Sequence, residues 1–308
     1  MSLDDLGLLD YESPTLNIDG DLIVYQTCCI FDEDDDMSRN QIIKYINKKV
    51  ENLMRSADCD TYIMFVTTNT NFRDDLVDDY KANRDPKDKP VNLAWAKRWC
   101  TKNLNTHYHA KLEADDLLGI YMNENSILWS LDKDLRQVPG NHLDDESQKI
   151  VEITEEGIIK VTEKVSSSGK ITKKVYFDGT IGLYYQLLVG DSTDYIVGCG
   201  VRSSAVYKSG PNAGKSYTKR KGIGPMAAVS VLTKAAMAKG KRPLLEVALE
   251  AVIVEYKKVF GKDWKHNIET QANLLFMVRE IEGEVIKRWT CDGRDEYFDL
   301  VKGVVLND

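Results

Sequence analysis

No run of about 18 apolar residues occurs in this 308-residue chain, so the sequence offers no candidate for a membrane-crossing helix. The opening MSLDDLGLLDYESP is acidic where a secretory signal is basic and then apolar, and the expectation is a cytoplasmic protein with no membrane partner. Histidine is scarce, at four residues (His107, His109, His142 and His266), which disfavours a histidine-based metal site. The six cysteines include no C-x-x-C pair and no histidine at zinc spacing, which argues against a zinc site and a disulfide framework. Internal repeats and long low-complexity segments are absent too. A net positive charge, the usual footprint of phosphate binding, is also lacking, since the formal charge is −8.

That last deficit is uneven. From Arg202 to Arg242 there are ten Lys or Arg residues and no Asp or Glu, so the chain is polarised into an acidic bulk and one basic stretch. With 43% hydrophobic and 29% charged residues, the rest is ordinary globular material.

The hydrophobic pattern alternates short apolar runs with amphipathic stretches. Thr15 to Cys28 reads as a buried strand ending at a helix start, and Arg39 to Arg55 as a helix with Ile42, Ile43, Ile46, Val50 and Leu53 on one side. TYIMFVTT and ILWSL read as further strands, the second preceded by the helix ADDLLGIYMNEN. This order implies an α/β fold with a mostly parallel central sheet flanked by helices. The expected organisation is a core over 1–180 with an arch near 80–107 and a small antiparallel β insertion over 149–177. A helical subdomain over 181–308, with a last helix around Glu269 to Glu282, shares the active site.

Acidic residues gather where elements end: Asp19 in NIDGD, Glu113, Asp115 and Asp116 in LEADD, Asp132 and Asp134 in LDKDL, and Asp191 and Asp194 in GDSTD. Carboxylates brought together repel one another, and hard divalent cations with oxygen ligands are the usual remedy. Asp132 and Asp134 share a face if extended, and Glu113 and Asp116 share one on a helix. The plainer reading of LEADD and GDSTD is helix capping. Tyr80, Lys81 and Arg84 in YKANR offer a ring for base stacking and charge for a phosphate, or else a solvated helix end. KGIGPMAA sets Gly222, Ile223 and Gly224 before a helix, where backbone N–H groups can reach a phosphate; the alternative is a tight turn.

In order, NIDGD, YKANR, LEADD, LDKDL, GDSTDYIVG and KGIGPMAA resemble the flap endonuclease and 5′-3′ exonuclease family, and among its members the phage replication exonucleases of the podovirus gene-six type. YKSGPNAGKSYTK looks like a phage-type insertion. The resemblance implies two Mg2+ ions, with Mn2+ as substitute, held by Asp19, Glu113, Asp115, Asp116, Asp132, Asp134, Asp191 and Asp194. It implies Lys81 and Arg84 as the phosphate-activating pair, Tyr80 as a stacking ring, and a helix-hairpin-helix-like subdomain carrying K+. DNA contacts fall to Lys215, Lys219, Arg220, Lys221, Gly222, Ile223 and Gly224. The implied partner is duplex DNA with 5′ ends, nicks, gaps or flaps, together with a polymerase or single-strand binding protein, in phage replication or recombination. One departure stands out: relatives often carry an acid after the second strand, where this chain has Thr67, Thr68 and Asn69. That gap keeps a DNA-structure-binding protein with weakened catalysis as a rival, and an acidic-site ribonuclease as another.

Overall fold

The strand β1 (Thr15–Asp19) passes without a turn into helix α1 (Gly20–Ile30), because Asp19 is both its last residue and the helix cap. Gly20 is required at this junction: a Cβ there would lie 2.6 Å from the Phe65 carbonyl oxygen of β2 (Thr61–Phe65). The computed structural model describes residues 13–306 apart from 69, 86–87, 166–168, 170, 207, 210 and 212–213. Asn69, Ser168 of the expected turn, the acidic N-terminus and part of YKSGPNAGKSYTK therefore lie outside the described residues.

Two compact units emerge, one of Met1–Asn69, Lys87–Asp132 and Gly140–Glu152, the other of Thr70–Pro86, Lys133–Pro139 and Ile153–Asp308. The first contains β1, α1, α2 (Asp36–Ala57), β2, α3 (Leu93–Asn103), β3 (Thr106–His107), α4 (Ala114–Ile120), β4 (Ser126–Trp129), β5 (Gly140–Asp144) and β6 (Lys149–Ile153). Its sheet runs β3-β2-β1-β4-β5-β6, with β1 parallel to both β2 and β4. The outer pairs β2–β3 and β4–β5 are parallel as well. This is the expected mostly parallel sheet flanked by helices, whose central strands β1 and β4 are buried. On α2, Ile42, Ile46, Val50 and Leu53 pack into the same core as Leu16, Ile18 and Met64.

The second unit begins its own chain run with the hairpin β7 (Ile159–Val165) and β8 (Ile171–Phe177). The expected insertion over 149–177 is thus divided, because β6 joins the edge of the main sheet while β7 and β8 pair only with each other. Helices α5 (Gly179–Val189), α6 (Pro225–Ala238), α7 (Leu244–Phe260) and α8 (Trp264–Leu275) then enclose a core around the fully buried Tyr256, whose hydroxyl donates to the Leu187 carbonyl at 2.8 Å.

Three features depart from the sequence expectation here. The basic stretch contains an antiparallel hairpin, β9 (Gly200–Val206) with β10 (Ser216–Gly222). Helix α8 stops at Leu275 rather than near Glu282, because Arg73 and Gln137 donate to the carbonyls of Leu274, Phe276 and Leu275 at 2.8–3.1 Å. The chain then forms a four-stranded antiparallel sheet, β11 (Ile281–Glu282), β12 (Val285–Lys287), β13 (Tyr297–Asp299) and β14 (Val304–Leu306). The same Arg73 and Gln137 bonds explain why 70–86 and 133–139 group with the C-terminal residues instead of with a continuous 1–180 core. The expected 80–107 arch divides likewise, with Tyr80 to Arg84 in one unit and α3 in the other.

Candidate functional site

In the first unit Asp19 is buried, 4% exposed, and accepts from the Leu22 N–H at 3.0 Å and the Ser130 hydroxyl at 2.6 Å. Burial, with Asp21 and Asp132 adding repulsion, outweighs those donors and pushes its carboxyl up to about 7. Ser130 also accepts from the Asp132 N–H at 2.9 Å, so one hydroxyl ties the end of β4 to the end of β1. Asp21, beside Asp19 in NIDGD, accepts from Lys97 Nζ at 2.6 Å and the Thr67 N–H at 3.0 Å. Neither Asp21 nor Lys97 was among the expected site residues.

The missing acid after β2 has a visible replacement. Thr67 Oγ1 accepts from the Ala114 N–H at 2.9 Å, and Thr68 Oγ1 donates to the His109 carbonyl at 3.0 Å. Hydroxyls thus fasten the strand end to the start of α4 and to the segment before it. There, Glu113 precedes the helix and the fully buried Asp116 accepts from the Glu113 N–H at 3.1 Å. The capping reading of LEADD is correct for Asp116. Glu113 and Asp115 alternate with the buried Ala114 and Asp116 and remain partly exposed.

In the second unit the loop after α5 closes on itself through paired backbone bonds between Asp191 and Ile196, at 2.9 and 2.6 Å. Gly190 and Gly198 both have positive φ and lie back to back, so any Cβ at Gly198 would strike the Gly190 nitrogen at 2.4 Å. Asp191 follows the helix rather than capping the next one. Its Oδ1 accepts from the Thr193 N–H at 2.6 Å and its Oδ2 from Lys133 Nζ at 2.6 Å. Lys133 Nζ also lies 3.1 Å from Asp134 Oδ1, and Gln186 Nε2 donates to that oxygen at 2.6 Å. Burial works against charge at both Asp191 and Lys133, yet their pairing lowers the Asp191 pKa and raises that of Lys133. Asp134 lies in a short 3-10 helix, Lys133–Gln137, and not in the extended segment expected of LDKDL.

Asp194 gathers the YKANR residues. Lys81 Nζ is 3.5 Å from its Oδ2, Arg84 is ion-paired to its Oδ1, and the Lys81 N–H donates to its carbonyl at 3.1 Å. Asn83 Nδ2 donates to the Ser192 carbonyl at 3.0 Å. The structure therefore joins YKANR to GDSTD, two motifs 110 residues apart. Tyr80 corrects an expectation: it is 9% exposed, its ring packs in the apolar core, and its hydroxyl points at Asp194 at 3.4 Å, so the ring is not presented for stacking on bases.

Arg220 is a second correction. Its guanidinium donates to the carbonyls of Val197, Ile223 and Leu188 at 2.6, 3.0 and 3.0 Å, and burial lowers its pKa. It knits the β hairpin to the Gly222–Ile223–Gly224 turn instead of facing a phosphate. Arg202 pairs with Asp79, and Arg242 with Glu246 and Glu250. Lys215, Lys219 and Lys221 are exposed, and Gly224 caps α6 with open space around it and Pro225 following.

The residues present suit divalent cations, because burial and then neighbouring carboxylates raise Asp19 and an ammonium already sits between Asp134 and Asp191. Within either unit, however, the expected carboxylates do not bring three ligand atoms within 4.8 Å of one another among the described residues. The group that does so is Glu269, Cys291 and Asp292. There Arg294 lies 3.2 Å from Glu269 and Lys265 2.7 Å from Asp292, so the acids are already paired with the chain's own cations.

No helix among the described residues is long and apolar enough to cross a membrane. The chain is similar to three bacteriophage T5 structures: a protein co-crystallised with metal ions (13% identity, TM-score 0.45, 84% of this chain and 98% of that one), a flap endonuclease pseudo-enzyme–product complex with DNA and metal ions (12%, 0.46, 85% and 98%), and a 5′-exonuclease variant (12%, 0.43, 86% and 100%). No curated protein matches its sequence. Residues 14–166 match the family model of the 5′-3′ exonuclease N-terminal, resolvase-like domain. Through that domain the chain belongs to the 5′-3′ exonuclease family.

Proposed function

We propose that the protein is a metal-dependent phosphodiesterase that degrades duplex DNA from 5′ ends and cuts flaps, with Mg2+ as its ion. The observation that carries this is Lys133 Nζ lying 2.6 Å from Asp191 and 3.1 Å from Asp134, a chain cation held between two of the expected carboxylates. Asp19, Glu113, Asp115 and Asp132 would hold an ion in the first unit, and Asp134 and Asp191 in the second. Such an ion supplies Lewis-acid polarisation of a phosphoryl oxygen. Lys81 and Arg84, now paired with Asp194, exchange that carboxylate for the phosphate of the substrate, where Arg clamps two oxygens and Lys acts as a point charge. Lys215, Lys219 and Lys221 steer and hold the duplex backbone.

The test is Mg2+-dependent nucleotide release from end-labelled duplex, nicked and flapped DNA. Release from 5′ ends, lost in Asp132→Asn, is expected, and full activity in that variant overturns the assignment. Binding retained without cleavage at saturating Mg2+ favours a DNA-structure-binding protein, and preference for RNA favours a ribonuclease.

A further inference from the structure

Helix α5 buries Ile181, Leu183, Leu187 and Leu188, and among these apolar side chains lies Gln186, 1% exposed. Half of its amide is used, with Nε2 donating to Asp134 Oδ1 at 2.6 Å. The other half, Oε1, is buried with no hydrogen-bond partner. An unsatisfied buried acceptor is destabilising, and an apolar side chain of equal size fills such a position without that penalty. Gln186 is thus poorly explained by packing alone.

Its connections supply the explanation. Asp134 is the carboxylate it grips, and the same helix ends three residues later at Val189, immediately before the Gly190 and Asp191 loop. Lys133 bridges the two acids. A neutral donor fixes the rotamer of a carboxylate while leaving its charge intact, which is how supporting residues orient metal ligands.

We propose that Gln186 is a positioning residue that holds Asp134 ready for a divalent cation; the inference rests on the nuclease reading above. When an ion displaces the Lys133 ammonium, Asp134 stays oriented because its amide partner remains.

Gln186→Met keeps the volume and removes the donor. Calorimetric titration of the full chain with Mn2+ alone is expected to show affinity weakened about tenfold or more, with Tm in chelator preserved. The Mg2+ concentration for half-maximal cleavage should rise while the rate at saturating Mg2+ recovers. In an Asp134→Asn background the same change should have no further effect on Mn2+ affinity. Mn2+ binding equal to the unaltered chain, or the same loss in both backgrounds, overturns the proposal. Should Gln186→Met fail to fold, Gln186→Asn withdraws the amide by one methylene and is expected to weaken Mn2+ binding similarly; unchanged affinity there overturns it too. Because binding is read apart from cleavage, an unaltered chain that binds Mn2+ but cuts no nucleic acid counts against the nuclease reading, while the Gln186 variants still decide this one.

Discussion

The carboxylates of the two units face opposite electrostatic circumstances. In the first, Asp19 is buried near Asp21 and Asp132, and its proton affinity rises to about 7. In the second, Asp191 and Asp194 are held by Lys133, Lys81 and Arg84, and Asp191 stays ionised more readily than usual. The same residue type is therefore a strain in one unit and an anchor in the other. Conservative Asp→Asn changes should separate the two cases.

The largest expected effect is on cleavage: Asp19→Asn should slow Mg2+-dependent release by about a hundredfold or more, roughly 3 kcal/mol in the barrier. Its Tm in chelator should hold or rise, because a crowded charge is gone. A marked fall in Tm would show that Asp19 is anchored like Asp191. Next comes stability in the second unit. Asp191→Asn removes a charged acceptor from Lys133 and should lower stability by about 1–3 kcal/mol in chemical denaturation, and Arg220→Met, which strips three carbonyls of their donor, by a similar amount. If Asp191→Asn leaves the denaturation midpoint unchanged, the anchoring account fails.

Lys133→Met removes the competing ammonium and should tighten Mn2+ binding by about tenfold, a few times more than any change from Lys97→Met if the two units differ as described. Calorimetric titration of both variants checks this, and equal or weaker binding in Lys133→Met removes the competitor role. The smallest effect belongs to the basic hairpin: Lys219→Ala and Lys221→Ala should each weaken duplex binding a fewfold at low salt and hardly at all at high salt. Salt-independent loss would instead indicate misfolding.

How much of this the sequence disclosed varies by element for physical reasons. The β1-to-Asp19 junction was legible because an apolar run ends abruptly at an acid, the start of α4 because acids precede the apolar LLGI, and the periodicity of α2 was plain. The β9–β10 hairpin was not, since its strands GVRSSAV and SYTKRKG sustain no apolar–polar alternation. The C-terminal sheet was hidden by the amphipathic run through α8, although Gly283 between Glu282 and Glu284 is a hairpin signal. The YKANR motif points Tyr80 to stacking, yet Leu76, Val77 and Tyr80 have the spacing of one buried face. Gln186 is a polar residue within the apolar run of α5, and Lys133 stands between two acids; both patterns were visible, but only distance gives them meaning. The pairing of YKANR with GDSTD is a tertiary fact that no local pattern encodes.

The side chains that end α8 also impose an order of events on synthesis. Arg73 reaches the Leu274 carbonyl across 201 residues, and Gln137 reaches Leu275 across 138. A chain growing from its N-terminus must therefore complete nearly all of its length before the segments bearing Lys81, Arg84 and Asp134 gain these partners, and contacts of such long range form late and slowly. A nascent chain paused before α8 lacks the carbonyls that Arg73 and Gln137 grip. The fastenings of these segments are thus assembled last, and a truncated product of translation that ends before α8 is made without them.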